Sequence, residues 1–347
     1  VTNVVEDLDG DGIEDHFDPD DDNDGFTDSQ ETTAGTDPED NASKPGLDYG
    51  LVAHYPFDGN ASDMSGNGNH GTVNGATLGA DRHGEAGKAY SFDGVNDYIS
   101  IPDADQHDGM SQLSVHFNVK WNFYPFQTLS KGVSIVEKWQ TAPANATGAY
   151  SFYTHHDADQ FTFMVGTVNE QNGLNIPLSP NMSLGMWHSV TGVYDGQHST
   201  LYLNGMPKGQ VTMSGTVKST SYPLEMANSG NSNTTCFPGS IDDVRIYDRA
   251  LSAAEVTALY QLENTPPNQS PVFSSGSTFT TAENNASASF VVTATDPDAN
   301  TTLVYAKSGP DAGKFDLNVA TGTLTFTNTP DFEANASAAG NNAFSLT

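Results

Sequence analysis

Asp7, Asp9, Asp11, Asp15 and Asp18 occupy positions 1, 3, 5, 9 and 12 of a twelve-residue window, with Gly12 at position 6. A second window opens at Asp20 and repeats the layout with Asp22, Asp24 and Asp28, Gly25 at position 6 and Glu31 at position 12. Alternate carboxylates on a tightly turning chain can surround a hard cation that takes six to eight oxygens, and the glycine supplies the bend. Position 7, Ile13 in one window and Phe26 in the other, would give a backbone carbonyl. The spacing therefore points to bound Ca²⁺, several ions in all. A random acid-rich tail would stay solvated and disordered, but it would not place glycine and an apolar residue in the same slots twice.

No amphipathic helix flanks either window, which argues against helix-loop-helix calcium hands. The segment resembles the thrombospondin type 3 repeat, where Asp-rich loops wrap calcium around almost no apolar core. The animal repeats carry cysteines. This segment has none, so the resemblance implies that the ions alone hold it together.

The elements that must position such loops are written in the rest of the chain. The 347 residues carry a formal net charge of −32, and no Lys or Arg precedes Lys44. That imbalance disfavours nucleic acid, whose phosphates need basic partners, and anionic membrane surfaces. No apolar run is long enough to span a bilayer, so no membrane insertion is expected. One cysteine, Cys236, excludes an internal disulfide and reads as an ordinary packed thiol. A calcium-stiffened chain without disulfides fits a bacterial exterior, secreted or at the cell surface. The chain starts on Val1 with no leader, so we expect an internal piece of a longer protein.

Lys44-Pro45-Gly46 closes the acidic segment, giving a first domain over 1–44. From 45 to 262 short β-prone runs alternate with Gly, Asn and Asp: Ala89–Phe92, Tyr98–Ile101, Leu113–Val119, Phe161–Val165 and Thr200–Leu203. Asn204-Gly205 predicts a two-residue hairpin turn. Only Ser252 to Gln261 reads as helix, with Ser252 and Glu255 forming a capping box and Val256, Leu259 and Tyr260 on one side. Many strands and one short helix predict an all-β, antiparallel two-sheet sandwich. Residues 263–270 form a Pro-rich linker. A second β-rich unit spans 271–347, with runs at Ser289–Ala294, Leu303–Ala306 and Gly322–Phe326, and its last strand reads as truncated.

Six segments over the middle unit carry a second resemblance: His54-Tyr55-Pro56-Phe57-Asp58-Gly59, Ser65-Gly66-Asn67-Gly68-Asn69-His70-Gly71, Phe92-Asp93-Gly94-Val95-Asn96-Asp97-Tyr98, Trp187-His188-Ser189-Val190, Tyr194-Asp195-Gly196 and Gly239-Ser240-Ile241-Asp242-Asp243-Val244-Arg245-Ile246-Tyr247. They resemble the bacterial laminin-G-like or concanavalin-A-like jelly roll. The resemblance implies a mostly non-catalytic binder of glycans or proteins, often with calcium where the first and last strands meet. Asp58 and Asp243 are the candidate ligands, with Asn60 and Asp242 behind them; the alternative is that Asp58-Gly59 only makes a turn. Asp93-Gly94 reads as a turn.

The last unit resembles a bacterial cadherin-like repeat, through Pro271-Val272-Phe273, Ala282-Glu283-Asn284, Ala294-Thr295-Asp296-Pro297-Asp298, Phe315-Asp316-Leu317, Thr321-Gly322-Thr323-Leu324 and Pro330-Asp331-Phe332-Glu333. The resemblance implies calcium at Glu283, Asp296, Asp298, Asp331 and Glu333, and further tandem modules of the same chain. Asn268-Gln269-Ser270 lacks the acids expected at such a junction, which leaves an ion there open.

No catalytic pattern accompanies these modules. The Glu-x-Asp-x-x-Glu strand of related glycosidases, His-Glu-x-x-His and Gly-x-Ser-x-Gly are all missing. His155, His156 and Asp157 are adjacent and would point to opposite strand faces, so they make a poor metal cluster. Trp121 and Trp187 read as core. Trp139 begins a loop running to about Gly148, and with Tyr153, His155, Asp157 and Asn172 it is a candidate glycan site; the alternative is that Trp139 packs over its own loop. The expected function is non-catalytic, calcium-dependent adhesion, the jelly roll binding an extracellular glycan or protein. The alternative is an accessory carbohydrate-binding region of a secreted polysaccharide-degrading enzyme or protease.

Overall fold

The structure is a computed structural model; it describes residues 7–124, 132–140, 147–155, 159–228, 236–266, 268–298, 301–331, 333–334, 337 and 343–346. The chain divides into two compact units, Val1–Thr265 and Pro266–Thr347.

The first unit opens with α1 (Asp28–Ala34), β1 (Leu51–Tyr55), β2 (Thr72–Asn74), β3 (Thr77–Ala80), β4 (Ala86–Asp93), β5 (Tyr98–Ile101), β6 (Leu113–Trp121) and β7 (Ser134–Gln140). It continues with β8 (Thr147–Thr154), β9 (Gln160–Gly166), β10 (Gln171–Pro177), β11 (Trp187–Tyr194), β12 (His198–Leu203), β13 (Met206–Thr212), β14 (Leu224–Met226), β15 (Pro238–Tyr247) and α2 (Ala253–Asn264). One sheet runs β13-β12-β11-β6-β15-β4-β3, with β1 added through β15 to make eight strands. The other has seven, in the order β10-β9-β8-β7-β14-β5-β2. Pairing is antiparallel throughout, as the sequence predicts for a two-sheet jelly-roll sandwich.

Strand alternation decides which side chains meet between the sheets. Tyr150 is in register with Val165 and Phe152 with Phe163, and all four are fully buried, because cross-strand partners share a face. From the opposite sheet Phe117 meets Phe152 edge-on at 5.0 Å, and Phe152 stacks on Phe163 at 4.5 Å. Gly192 of β11 permits this approach: a Cβ there would stand 2.6 Å from Phe152 Cζ. Truncating such a ring to alanine costs roughly 3–5 kcal/mol.

The Asn204-Gly205 turn has φ of +52° and +73°, the left-handed pair that a two-residue hairpin needs. The helix expected over Ser252–Gln261 begins with the Ser252–Glu255 capping box but runs on to Asn264. Val256 and Leu259 are buried as expected, in a second apolar cluster with Val193, Tyr202, Tyr247 and Leu251. Tyr260 instead packs over the hairpin at Gly205. One helix went unanticipated, α1, which Thr27 and Gln30 start with their own capping box. Seven residues are too few to show a helical period.

In the second unit, β16 (Val272–Phe273) pairs with β18 (Ala294–Thr295), and β20 (Thr323–Phe326) lies between β17 (Ser289–Val291) and β19 (Phe315–Asn318). The run at Leu303–Ala306 forms no strand. Val304 is 76% exposed, and the segment is tied through Tyr305, whose N–H donates to Val319 O at 2.8 Å and whose hydroxyl accepts from Ala294 N–H at 3.2 Å. Phe344 packs on Phe315 and Phe326 at 5.6 and 5.3 Å, yet residues 343–346 are not in a strand. Among the described residues, no helix is long and apolar enough to cross a membrane.

Candidate functional site

The two Asp-rich windows fold into the same turn. Leu8 N–H donates to Asp15 Oδ1 at 2.9 Å, and Asp21 N–H to Asp28 Oδ1 at 3.0 Å. Asp11 N–H donates to Asp9 Oδ1 at 2.9 Å, and Asp24 N–H to Asp22 Oδ1 at 3.1 Å. Ile13 N–H and Phe26 N–H donate to Asp11 and Asp24 Oδ1, both at 2.8 Å. Gly12 and Gly25 bend the chain at φ of +99° and +97°, where an L side chain would be strained. These three bonds of the first window thus have counterparts in the second, whereas Asp7 Oδ1 accepts from Gly10 N–H at 2.9 Å and Asp20 accepts instead from Asp24 and Gly25 N–H, both at 3.2 Å.

These turns gather carboxylates. One oxygen from each of Asp7, Asp9 and Asp11 lies within 4.8 Å of the others, and Asp20, Asp22 and Asp24 do the same. Asp15 and Asp28 each spend an oxygen on the backbone, and Asp18 Oδ1 accepts from Asp20 N–H at 3.0 Å, so these three brace the turns. Glu31, carried by α1, is fully buried. Its Oε2, together with Asp22 Oδ2, Asp24 Oδ2 and Asp21 Oδ1, is buried without a hydrogen-bond donor among the described residues. Lys44 Nζ is nearby, 3.7 Å from Asp24 Oδ2 and donating to Asp24 O at 3.0 Å.

Burial first, and then repulsion from neighbouring acids, raises the pKa of Asp21, Asp22 and Glu31. Orphaned carboxylate oxygens in a low-dielectric turn are costly. An all-oxygen anionic set fits a hard divalent cation such as Ca²⁺ and not a thiolate- or imidazole-seeking metal. Asp21 was missed by the twelve-residue spacing because it falls on an even position. At position 7, Ile13 is 43% exposed whereas Phe26 is 6% exposed.

Asp58 and Asp243, expected to share an ion, are taken up separately. Asp58 Oδ1 pairs with Lys88 Nζ at 3.1 Å. Asp243 Oδ2 meets Arg82 Nη2 at 2.6 Å, and Arg82 Nη1 lies 3.5 Å from Asp242 Oδ2. The register of β15 on β6 slips between Asp242 and Arg245, with Asp243 at φ +46°. Such a bulge breaks the alternation of a strand, which lets two consecutive acids reach one arginine. Asn60 turns its own loop, its Oδ1 accepting from Ser62 N–H at 2.8 Å.

Glu263 closes the network from α2. Its Oε2 is 2.7 Å from His116 Nε2 and accepts from Asn118 Nδ2 at 2.6 Å, and its Oε1 accepts from Arg245 Nε at 3.2 Å. Burial raises the pKa of Asp242, with the Asp243 charge adding to it. For Asp243, the His54 and Arg82 contacts outweigh burial and lower it. An arginine therefore occupies the cation role where the sequence suggested calcium.

The glycan candidates fare unevenly. Trp139 is not at the start of a loop. It belongs to β7, is 8% exposed, and lies over Gly148 and Gly166, whose Cβ atoms would come within 2.7 and 3.3 Å of its ring. It is a packing residue. Asp157 lies outside the described residues. Asn172 is in register with Val165 and so takes the core-facing side of edge strand β10, donating to Thr212 O at 3.4 Å. Tyr153 takes the other side, opposite Thr162.

On that outer face Tyr153 and His155 have ring centroids 5.1 Å apart, His155 Nε2 is 2.9 Å from Thr162 Oγ1, and Thr162 Oγ1 donates to Asn175 Oδ1 at 2.6 Å. The same face holds Glu225 cross-strand from Glu137, and Glu137 cross-strand from Ser151, whose Oγ donates to Glu137 Oε2 at 3.1 Å. Asn228 Nδ2 donates to Glu225 Oε2 at 3.0 Å; burial raises the Glu225 pKa in spite of that bond. Thr162, Asn175, Glu137 and Glu225 were missed because cross-strand register is not visible in sequence. Trp121 is fully buried as expected, whereas Trp187 is only half-buried, with Lys120 Nζ 5.0 Å above its ring.

In the second unit Glu283, Asp331 and Glu333 are exposed and bring one oxygen each within 4.8 Å of the others. Asp296 and Asp298 stand outside that group. Asp296 Oδ1 accepts from Asp298 N–H at 2.8 Å, and Asp298 Oδ2 from Gln269 N–H at 2.6 Å.

Residues 93–257 match the family model of the concanavalin A-like lectin/glucanases superfamily, and this stretch is a laminin-G-like jelly-roll domain. Among solved structures, the binding domain of Paraclostridial Mosquitocidal Protein 1 is similar at 17% identity and a TM-score of 0.52, over 63% of this chain and 53% of that one. The botulinum neurotoxin serotype G binding domain is similar at 18% identity and a TM-score of 0.50, over 63% and 53%. The serotype D ligand binding domain in complex with N-acetylneuraminic acid is similar at 16% and 0.50, over 62% and 51%. This chain thus spans about half the length of each, and at these identities the likeness concerns the fold. No curated protein sequence matches the chain.

Proposed function

We propose that this chain is a non-catalytic, calcium-dependent ligand-binding region of a secreted or cell-surface bacterial protein. In this reading residues 7–44 are thrombospondin-type-3-like calcium loops, residues 271–347 a cadherin-like module, and both act as ion-stiffened spacers around the jelly roll. The observation that carries it is the set of buried oxygens on Asp21, Asp22, Asp24 and Glu31 that accept no hydrogen bond among the described residues, with Lys44 Nζ the one cation beside them there, 3.7 Å from Asp24 Oδ2. Carboxylates in that state repel one another, and a divalent ion that binds only the folded loop stabilises it by mass action.

The jelly roll contributes recognition, and the outer face of its seven-stranded sheet is the favoured surface. Tyr153 and His155 give flat, half-buried rings and Asn175 an exposed amide that suits hydroxyls, while Thr162, Glu137 and Glu225 are buried beneath that face. A glycan is the first ligand class to try, since the same fold in the serotype D toxin domain was solved with a sialic acid; an extracellular protein is the second. The test is a glycan array of the intact chain with and without millimolar Ca²⁺, alongside Tyr153→Ala. Retention of a glycan class by the wild type and its loss in Tyr153→Ala is the expected result. Release of reducing ends from a polysaccharide by this chain alone would overturn the non-catalytic reading.

A further inference from the structure

Phe26 joins the metal loop to the jelly roll. It follows Gly25 in the second window, and its N–H donates to Asp24 Oδ1 at 2.8 Å, so closure of the loop fixes its place. Its ring is buried, edge-on to Tyr49 with centroids 6.3 Å apart. The Arg249 guanidinium stands 5.3 Å from the Phe26 ring, 5.6 Å from Tyr49 and 5.7 Å from Tyr247.

That guanidinium belongs firmly to the sandwich. Arg249 Nε donates to Tyr49 O at 2.7 Å and Nη2 to Glu255 Oε1 at 2.6 Å, while Arg249 O accepts from Ser114 Oγ of β6 at 2.8 Å. A cation held over several ring faces is a favourable seat for one more aromatic. The first window has no such seat: its position 7 residue, Ile13, is exposed. Two side chains clasp the second loop from behind, with Asn41 Nδ2 donating to Asp22 O at 3.2 Å and Lys44 Nζ to Asp24 O at 3.0 Å.

We propose that Arg249, Tyr49 and Tyr247 form a docking surface for the second Asp-rich loop, that Phe26 is its plug, and that a hard divalent cation in that loop governs the docking. This inference rests on the calcium reading of residues 20–31. Without the ion, the buried acids are relieved by opening the turn, which draws Phe26 off Arg249. With the ion, the turn closes and Phe26 is presented to its seat. The coupling is reciprocal: whatever factor the ion adds to docking, docking adds to ion affinity.

The experiment is calorimetric Ca²⁺ titration of the full chain, paired with amide exchange at residues 47–51 and 247–250, for wild type, Phe26→Ala and Phe26→Tyr. Phe26→Ala is expected to weaken one class of Ca²⁺ site by about fivefold or more, the lower end of ordinary coupling, and to leave the other sites unchanged. Ca²⁺ should protect residues 47–51 and 247–250 in wild type and Phe26→Tyr but not in Phe26→Ala. Equal melting of the jelly roll in EGTA for all three proteins checks that the fold is intact. Unchanged affinity and unchanged Ca²⁺-dependent protection in Phe26→Ala would overturn the docking proposal alone. A wild type that binds no Ca²⁺ would overturn the calcium reading and the docking with it.

Discussion

Arg82 Nη2 lies 2.6 Å from Asp243 Oδ2, and this pair ties the loop after β3 to the bulge in β15. The same guanidinium reaches Asp242 and stands 4.0 Å from Glu263 at the end of α2. Removing one partner of a buried ionic group leaves charge without compensation, which costs about 3–5 kcal/mol. Arg82→Ala should lower stability by that amount in urea unfolding of the intact chain. A loss below about 1 kcal/mol, typical of an exposed pair, would show that the network contributes little.

Chelation should act unevenly along the chain. Residues 7–44 are built on turns closed by carboxylates, whereas the sandwich holds a continuous aromatic and aliphatic core. Limited proteolysis in EGTA is expected to cut between residues 7 and 44 first and to leave a folded jelly-roll fragment. Equal resistance of that segment with and without Ca²⁺ would contradict this.

His107 makes a prediction about pH. It is fully buried, and burial, reinforced by the Lys138 charge, lowers its pKa from 6.5 to about 4. Its native pKa is below its unfolded one, so between these values the unfolded chain binds the proton and the native chain does not. Stability should therefore fall as pH drops from about 6.5 towards 4, with a His107 share of order 3 kcal/mol at about 1.4 kcal/mol per unit. Comparing the pH dependence of urea midpoints for wild type and His107→Leu isolates that share from the many acids. Parallel curves would contradict it.

Cys236 is fully buried, and its thiol pKa is pushed up to about 11, chiefly by burial. Because the thiolate is the reactive form, an aromatic disulfide reagent at pH 8 should leave native protein unmodified and titrate one thiol in denaturant. Rapid reaction of the native protein would place Cys236 in an open, activated environment instead.

Local chemistry was legible in the sequence and distant partnership was not. The Asn204-Gly205 turn and the Ser252–Glu255 capping box are set by neighbours within a few residues, and each appears as expected, while the repeated Asp spacing shows up as a repeated turn. The last turn of α2 was not foreseen because Glu263 is held by His116 and Arg245, which only the folded sandwich brings to it. Trp139 was misread because the glycines beneath it come from β8 and β9. Asp58 and Asp243 were paired on paper because neither Lys88 nor Arg82 can be assigned from spacing. Asn172 was grouped with Tyr153 although it takes the opposite face, because register, not composition, decides orientation in an edge strand.

The most direct measurement is Ca²⁺ titration of Glu31→Gln beside wild type by calorimetry. Glu31 supplies a fully buried carboxylate to the second loop, so wild type should bind Ca²⁺ at both loops and Glu31→Gln should lose most affinity at one of them. Absence of any heat of binding in wild type up to millimolar Ca²⁺, or a Glu31→Gln isotherm that overlays it, would contradict the view that these acids are folded around a metal.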